Sequence, residues 1–150
     1  MKIAIGSDHA GFQLKETLRN WLETQGHEVT DCGTYSEERA DYPVYGQAVA
    51  LKVSTHEVEF GVLVCGSGQG ICMAANKVDG VRGAIIRNSD DAQMTRAHND
   101  ANVACFGERI TDSETAILAL EVFLKSPFEG GRHEGRVKLL DEIDSGKTIC

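Results

Sequence analysis

The chain has 150 residues, of which 41% are hydrophobic, and its formal charge at pH 7 is −8. This length and hydrophobic content predict one folded domain with a buried core. The acidic balance argues against a surface that binds nucleic acid or anionic membranes, because either would need a basic face. A small anionic ligand held by a local cluster of arginines is compatible with it.

Short apolar runs alternate with amphipathic ones along the chain, and this pattern predicts its elements. In chain order these are strand 2–6, helix 10–25, strand 27–33, helix 43–54, strand 60–65, a helix opening at Ile71, strand 82–87, a helix from an N-cap at Ser89 to about Asn99, strand 102–107, a helix from the capping box "TDSE" (111–114) to about Lys125, and helix 133–144. In helix 43–54 the apolar stripe is predicted to be Val44, Ala48 and Leu51.

Two further absences limit the location of the protein. No stretch approaches the roughly 20 apolar residues of a membrane span, and Gly6 and Asp8 interrupt the first apolar run too early for a signal peptide. The five cysteines, at positions 32, 65, 72, 105 and 150, form no CxxC pair. We therefore expect free thiols, a cytoplasmic location and no metal site.

Strands that alternate with helices predict an α/β protein with a parallel sheet covered on both faces. In such sheets a ligand binds beyond the carboxyl ends of the strands, where the strand order reverses. That rule selects the residues that follow the first, third, fourth and fifth strands: 7–9, 65–70, Asn88 and 107–109.

A glycine-rich stretch, "VCGSGQGI" (64–71), follows the third predicted strand. Its glycines are spaced GxGxG rather than GxGxxG, and no acidic residue lies near position 86 for a ribose contact, so a dinucleotide site is disfavoured. A P-loop would need a Lys-Ser/Thr pair after the glycines, and none follows. If only the glycines are considered, a tight connection between strand and helix explains them equally well.

Cys65 ends the third predicted strand and faces the start of the next helix. A cysteine in such a place is often only a small buried hydrophobic residue. The helix start, however, offers N–H groups and a positive dipole end, which favour the thiolate form. The amides of residues 66–70 are also in position to stabilise an oxyanion. A base beside an oxyanion hole is suited to removing a proton α to a carbonyl group, and we predict this chemistry for the loop.

Polar residues near this edge are further candidates. Asp8 is predicted either to cap the following helix or to bind a substrate hydroxyl, and His9 to face an anion or a hydroxyl. His98 ends a helix, which places it on the wrong edge of the sheet unless a second subunit brings it to the site. Asp41, in "ERADYP", is a candidate for orienting a histidine.

Three arginines are candidates for a phosphate clamp. Arg109 lies just beyond the fifth predicted strand, and Arg132 and Arg136 lie four residues apart at the start of the last helix. Guanidinium groups match the geometry of phosphate, so these side chains would form a clamp if they met in one cleft. Separate surface arginines explain the same sequence equally well.

Five motifs together resemble a known family. The stretches "GSDHAGFQLK", "DCGTYSEERADYP", "VCGSGQGICMAANK", "RAHNDANVACFGERI" and "EGGRHEGRV" are similar to the ribose-5-phosphate isomerase B family, which also includes galactose- and allose-6-phosphate isomerases. The resemblance runs in order from residue 2 to about residue 145. Some members of that family lack the cysteine and carry a glutamate one residue after the last glycine of the loop. Here that position is Ile71 and Cys65 is present, which indicates the thiol subgroup.

The resemblance implies a three-layer α/β/α sandwich with a five-stranded, Rossmann-like parallel sheet, in a single domain over residues 1–150. It implies a homodimer with two shared active sites, with a tetramer left open, and neither a metal nor an organic cofactor. A phosphorylated sugar is the expected partner, and neither nucleic acid nor a membrane is.

The resemblance also implies roles for individual residues. Cys65 would be the general base, His98 the ring-opening acid contributed across the dimer, and Ser67 a group that stabilises the enediolate. Sugar binding would involve Asp8, His9, Asp41, Tyr42, Gly66, Gly68, Gln69, Gly70 and Asn99, and phosphate binding His9, Arg109, Arg132 and Arg136.

The implied reaction interconverts ribose 5-phosphate and ribulose 5-phosphate through an enediolate. A six-carbon sugar-phosphate isomerase, acting on allose 6-phosphate or galactose 6-phosphate, is an open alternative, because the length of the pocket beyond the phosphate is not visible in the sequence. A non-catalytic nucleotide-binding module is a remote one.

Overall fold

The computed structural model describes all 150 residues. Its five strands are β1 (Lys2–Ser7), β2 (Glu28–Asp31), β3 (Phe60–Cys65), β4 (Gly83–Ile85) and β5 (Val103–Gly107). They form one sheet in the order β2-β1-β3-β5-β4, and every neighbouring pair is parallel. The predicted α/β class and five-stranded parallel sheet are confirmed.

Six α-helices connect and cover the strands. They are α1 (Phe12–Thr24), α2 (Tyr42–Ser54), α3 (Gln69–Ala75), α4 (Ser89–Asn99), α5 (Ser113–Lys125) and α6 (Glu134–Asp144), with short 3₁₀ turns at His9–Gly11 and Gly131–His133. None of the helices has both the length and the apolar character that crossing a membrane would require.

The sheet separates two apolar cores, one on each face. Side chains of α1, α4 and α5 form the first core with Ile3, Ile5, Val62 and Val64 of the central strands. Side chains of α2 and α3 form the second, in which Cys65 is one of the strand residues. Because strand side chains alternate between faces, Val64 and Cys65 point to opposite layers. The molecule is therefore a three-layer α/β/α sandwich.

The strand order places the switch point between β1 and β3. From β1 the chain moves outward to β2, then returns across the sheet to β3 and continues on the other side. The connections after β1 and β3 therefore diverge and leave a crevice at the carboxyl ends of these strands. Asp8 and Cys65 both line this crevice.

Among the local expectations that differ from the structure, four concern helices α2 to α5. The N-caps of α4 and α5 are Asn88 and Asp112, one residue before the predicted Ser89 and one after the predicted Thr111. Each cap side chain accepts a backbone N–H, from Asp91 at 2.9 Å and from Thr115 at 2.8 Å. Asn88, selected earlier for its place after a strand, is therefore a helix cap.

The other two differences concern α3 and α2. Helix α3 begins at Gln69, two residues earlier than predicted. The buried face of α2 consists of Gly46, Val49, Ala50 and Val53. The predicted stripe is wrong, because Val44 and Leu51 are 62% and 48% exposed.

Candidate active site

A cleft of about 330 Å³ opens at the carboxyl ends of β1, β3 and β5. Its walls come from the connections that follow these three strands and from the start of α2. The lining residues are Asp8, His9, Ala10, Tyr42, Cys65, Gly66, Ser67, Gly70, Arg109 and Ile110. Most of the polar residues selected from the sequence at this edge therefore share one cleft.

Cys65 lies at the floor of this cleft, which we call the thiol cleft. Its side chain is 4% exposed, and its Sγ accepts a hydrogen bond from the backbone N–H of Gly68 at 3.1 Å. Gly68 adopts φ +79°, and a Cβ there would lie 3.0 Å from the backbone of Phe106, so only glycine fits this turn. The turn thus directs an N–H group at the sulfur, where it stabilises negative charge.

This hydrogen bond changes the predicted division of the loop amides. The amides of residues 66–70 are predicted to stabilise an oxyanion, but in the structure the Gly68 amide contacts the thiol and the Gln69 amide donates to Ser67 Oγ at 3.2 Å. Gly70 lines the cleft and lies in the first turn of α3, where backbone N–H groups have no partner within the helix. Gly70 is therefore a loop amide that is available to an oxyanion.

Arg109 lies directly over the glycine loop. A Cβ built on Gly66 would lie 3.1 Å from Nη1 of Arg109, so the guanidinium group rests on the bare backbone there. The Arg109 backbone N–H donates to the Gly66 carbonyl at 3.0 Å, and the Glu108 N–H donates to the Cys65 carbonyl at 2.9 Å. These bonds fix the backbone of residues 108 and 109 beside the loop, and the positive charge of Arg109 lies over Gly66, the residue after the thiol.

Tyr42 forms the opposite wall. A Cβ built on Gly70 would lie 2.7 Å from the Tyr42 ring, so the ring stands against the start of α3. Asp41 precedes it, is exposed and does not line the cleft. Asp41 does not orient His9, because His9 Nδ1 contacts the Ala40 backbone, at 3.0 Å from its carbonyl oxygen and 3.2 Å from its nitrogen. That Asp41 orients another histidine stays a prediction.

Asp8 has one of the two roles considered for it, the cap, and its place in the cleft is compatible with the other. One carboxylate oxygen accepts the Gly11 N–H at 3.0 Å and caps the 3₁₀ turn, and the residue also lines the thiol cleft. Because the cap uses Oδ1, the second oxygen is available to a ligand.

A second cleft, of about 360 Å³, contains two of the other histidines. Its lining residues are His98, Asn99, His133, Arg136, Val137 and Leu140. We call it the histidine cleft. It is formed by the last turn of α4 and the start of α6, and it shares no lining residue with the thiol cleft. Within one chain, Cys65 and His98 therefore lie in separate clefts, as the position of His98 at a helix end predicted.

Two stacked imidazoles dominate the histidine cleft. The rings of His98 and His133 have centroids 4.4 Å apart and an interplanar angle of 17°. Burial lowers the pKa of His133 below its ordinary value, and the nearby His98 and Arg132 lower it further. Arg132 Nε donates to His133 Nε2 at 3.3 Å, which requires a neutral His133 with its proton on Nδ1.

His98, His133 and Glu129 have possible metal-ligand atoms within 4.8 Å of one another. However, the His133 nitrogen accepts a hydrogen bond from Arg132, and Arg136 lines the same cleft. Two guanidinium groups beside the donors favour an anion over a cation. The arrangement is better suited to a phosphate than to a metal ion.

Some of the predicted site residues do not lie in the same cleft. Arg109 lies in the thiol cleft and Arg136 in the histidine cleft, so one chain does not assemble the three-arginine clamp. Arg132 is exposed and lines neither cleft. Gln69 lines a different cleft, with Cys72 and Met73, and Gly68 is buried beneath the loop.

Sequence reasoning missed His133, although it stands between the two arginines of "GGRHEGR" that were selected. Its position next to Arg132 is the signal that would have identified it. The Ala40 backbone contact with His9 carries no such signal, because a main-chain group shows no side-chain chemistry in the sequence.

Comparisons with known proteins agree with this architecture. Residues 3–140 match the model of a family described as ribose/galactose isomerase. The chain is 46% identical over 147 residues to the ribose-5-phosphate isomerase B of Escherichia coli (strain K12), which covers 98% of this chain and 99% of the relative.

Two solved structures are also close. A ribose-5-phosphate isomerase B from Clostridium thermocellum is 44% identical, with a TM-score of 0.96 over 99% of this chain and 100% of the other. The enzyme of the same name from Mycoplasma genitalium, solved with bound ribulose-5-phosphate, is 38% identical, with a TM-score of 0.93 over 97% of each chain.

The parallel sheet and the polar cleft at its switch point are those of a Rossmann-like α/β enzyme. These matches cover nearly the whole length of this chain and of the matched proteins. The chain belongs to the ribose/galactose isomerase family. The resemblance predicted from the five motifs is therefore confirmed, and with it the expectation of an aldose–ketose isomerase.

Proposed function

We propose that this protein interconverts ribose 5-phosphate and ribulose 5-phosphate, with Cys65 as the base. The observation that carries the proposal is the Cys65 thiol, which receives a backbone N–H at 3.1 Å in a cleft that also contains Asp8, His9 and Arg109. A base, hydroxyl-binding groups and a positive charge are the groups that isomerisation of a sugar phosphate needs. The relatives named ribose-5-phosphate isomerase B support the choice of substrate.

The proposed chemistry moves one proton between two carbons. In the open-chain aldose, Cys65 Sγ removes the proton from C2, and the electron pair forms a C1–C2 double bond while charge develops on O1. The Gly70 N–H and Ser67 lie on the cleft wall and stabilise this enediolate. Return of the proton from sulfur to C1, with transfer of the O2 proton to O1, gives the ketose. No atom is gained or lost.

His98 has to come from a second copy of the chain. It is in a different cleft from Cys65, so a self-contained active site would lack an acid for opening the furanose ring. We therefore propose a homodimer in which the histidine cleft of one chain faces the thiol cleft of the other. His98 then protonates the ring oxygen, and Asn99 binds a sugar hydroxyl.

The dimer would also unite the cationic groups. His9 and Arg109 on one chain and Arg132 and Arg136 on the other would surround the phosphate, which matches the bidentate geometry of guanidinium groups. Exposed apolar side chains that a partner would cover support association, among them Val44, Met73, Met94 and Leu140. The five unpaired cysteines support action in the reducing cytoplasm.

A coupled assay tests the function. We expect turnover of ribose 5-phosphate at least tenfold higher in kcat/KM than turnover of allose 6-phosphate or galactose 6-phosphate, and activity that is unchanged by EDTA. Preferred turnover of a six-carbon substrate would replace the proposed substrate, and loss of activity in EDTA would contradict metal-free catalysis. Sedimentation analysis of the same sample should give a dimer or a multiple of it.

A further inference from the structure

One buried charged side chain, that of Lys15, has no role in the proposed mechanism. Lys15 lies in the first turn of α1, and its side chain is completely buried. Its Nζ lies 2.8 Å from both carboxylate oxygens of Asp31, the last residue of β2, and 3.0 Å from Glu16. The rings of Phe12 and Tyr35 lie 5.4 and 5.6 Å from the nitrogen. A lysine is costly to bury, so this ion pair needs a structural or functional reason.

Asp31 transmits the contact to the segment 32–41, which connects β2 to α2. Asp31 Oδ1 accepts the Gly33 N–H at 2.9 Å, and its carbonyl oxygen accepts the Tyr35 hydroxyl at 3.1 Å. The Gly33 carbonyl accepts the Ser7 N–H at 2.7 Å, and the Thr34 N–H donates to the Ser7 carbonyl at 2.8 Å. The first third of this segment is thereby fixed to the end of β1.

The far end of the same segment reaches the thiol cleft. Ala40 holds His9 Nδ1 through its backbone, and Tyr42 follows as a wall of the cleft. Between these points the segment has one other side-chain tie to α1, a 2.6 Å hydrogen bond from Gln13 to Glu37 that is exposed to solvent. Beside the main-chain bonds to Ser7, the Lys15–Asp31 pair is therefore the buried side-chain attachment at the start of the segment that orients His9.

We propose that Lys15 is a positioning residue for substrate binding, acting through Asp31 and the segment 32–41 on the His9 ring. Since Nδ1 contacts Ala40 and His9 lines the thiol cleft, the other ring nitrogen would be the one to contact the sugar phosphate. This inference rests on the proposed function, in which His9 contacts the substrate. Lys15 itself touches no substrate, because its side chain is enclosed.

The test compares Lys15→Met with the wild-type chain. Methionine is an unbranched side chain, one atom shorter than lysine, and it removes the charge. We expect KM for ribose 5-phosphate to rise about tenfold while kcat falls less than threefold, since about 1.4 kcal/mol of a charge-assisted contact corresponds to a factor of ten. The ¹⁵N signals of the His9 ring, assigned with His9→Gln, should also change. Lys52→Met, which breaks an exposed 2.7 Å pair with Glu57, is the matched control and should change neither.

A double variant separates positioning from stability. Lys15→Met/Asp31→Leu replaces the ion pair by an apolar pair, which usually preserves folding, but it also removes the carboxylate that holds Gly33. The same rise in KM and the same change in the His9 signals are expected, even if the single variant does not fold. Unchanged KM and unchanged His9 signals in either folded variant would overturn the inference. Altered His9 signals with unchanged KM would keep the structural link but contradict substrate binding by His9, a failure of the proposed function.

Discussion

The thiol cleft and the histidine cleft are built in different ways. The thiol cleft stands at the ends of three adjacent strands, and main-chain hydrogen bonds from β5 and the glycine loop fix its residues. The histidine cleft is formed by helix ends, and α6, which supplies Arg136, buries only Val137 in its own chain. The fold of one chain therefore preorganises the thiol cleft, whereas the histidine cleft is a cationic surface that, in the proposed dimer, would act on a second chain.

Loss of the thiol should have the largest effect. We expect Cys65→Ala to lower kcat by about 10²–10⁴-fold, the contribution of a general base, and to retain binding of ribulose 5-phosphate in calorimetry. Cys72→Ala, at another buried thiol of the same core, should stay within about twofold of wild type. Near wild-type turnover by Cys65→Ala would show that the thiol cleft does not supply the base.

Loss of the ring-opening acid should depend on the direction of the reaction. We expect His98→Asn to lower activity on ribose 5-phosphate, which is cyclic in solution, by about 100-fold. Activity on ribulose 5-phosphate, an open-chain ketose, should fall less than tenfold. Turnover at saturating substrate in both directions provides the measurement, because the equilibrium constant makes the two kcat/KM values fall by the same factor, and equal losses of kcat would contradict a role in opening the ring.

Arg136 should affect binding more than turnover. We expect Arg136→Ala to raise KM for ribose 5-phosphate by about tenfold, with kcat within a few-fold, because a hydrogen bond to a charged group contributes about 1.5–3 kcal/mol. Lys138→Ala, on the same helix and 3.5 Å from Glu134, is the control and should leave KM unchanged. An unchanged KM in Arg136→Ala would remove this residue from the phosphate clamp.

The smallest expected effect concerns the stacked histidines. Burial holds the pKa of His133 below its ordinary value, so the unfolded chain binds a proton there at a higher pH than the folded chain does. The stability that this difference contributes is present above the unfolded pKa of about 6.5 and is lost as the pH falls through the folded pKa. His133→Gln should therefore show a smaller drop in Tm than wild type between about pH 7.5 and pH 5. An equal drop would contradict the linkage.

The sequence predicted the strands best where burial is complete. Predicted strand 60–65 coincides with β3, and 102–107 differs from β5 by one residue. Strand β2 is shorter than predicted because the chain leaves the sheet at Cys32 and turns through Gly33 with φ +94°. The N-caps shifted by one residue because Asn and Asp cap helices as well as Ser and Thr do.

The buried face of α2 could not be predicted from an apolar stripe. Gly46 is the residue that lets α2 approach α3, since a Cβ there would lie 2.9 Å from the Ala74 side chain. A glycine contributes nothing to a count of apolar positions, so periodicity selected Val44 and Leu51 on the opposite, exposed face. Close helix contacts of this kind depend on the tertiary structure.

Within the candidate site, the carboxyl ends of the strands were predictable and the side-chain partners were not. Placing Asp8, Cys65 and Arg109 at one edge needed only the parallel topology. The contact of His9 with Ala40 needed the path of the segment 32–41, and the stack of His98 on His133 needed the packing of two helix ends. The proposed approach of the two clefts depends on the packing of two chains, which side-chain patterns along one sequence do not show.

The hydrogen bond from Gly68 to the Cys65 sulfur has a practical consequence. Because the Gly68 N–H donates directly to that sulfur, the amide proton resonance of Gly68 should shift when the thiol ionises and again when an alkylating reagent modifies the thiol. A single glycine signal in an amide spectrum therefore offers a titration curve for Cys65 that requires neither substrate nor turnover.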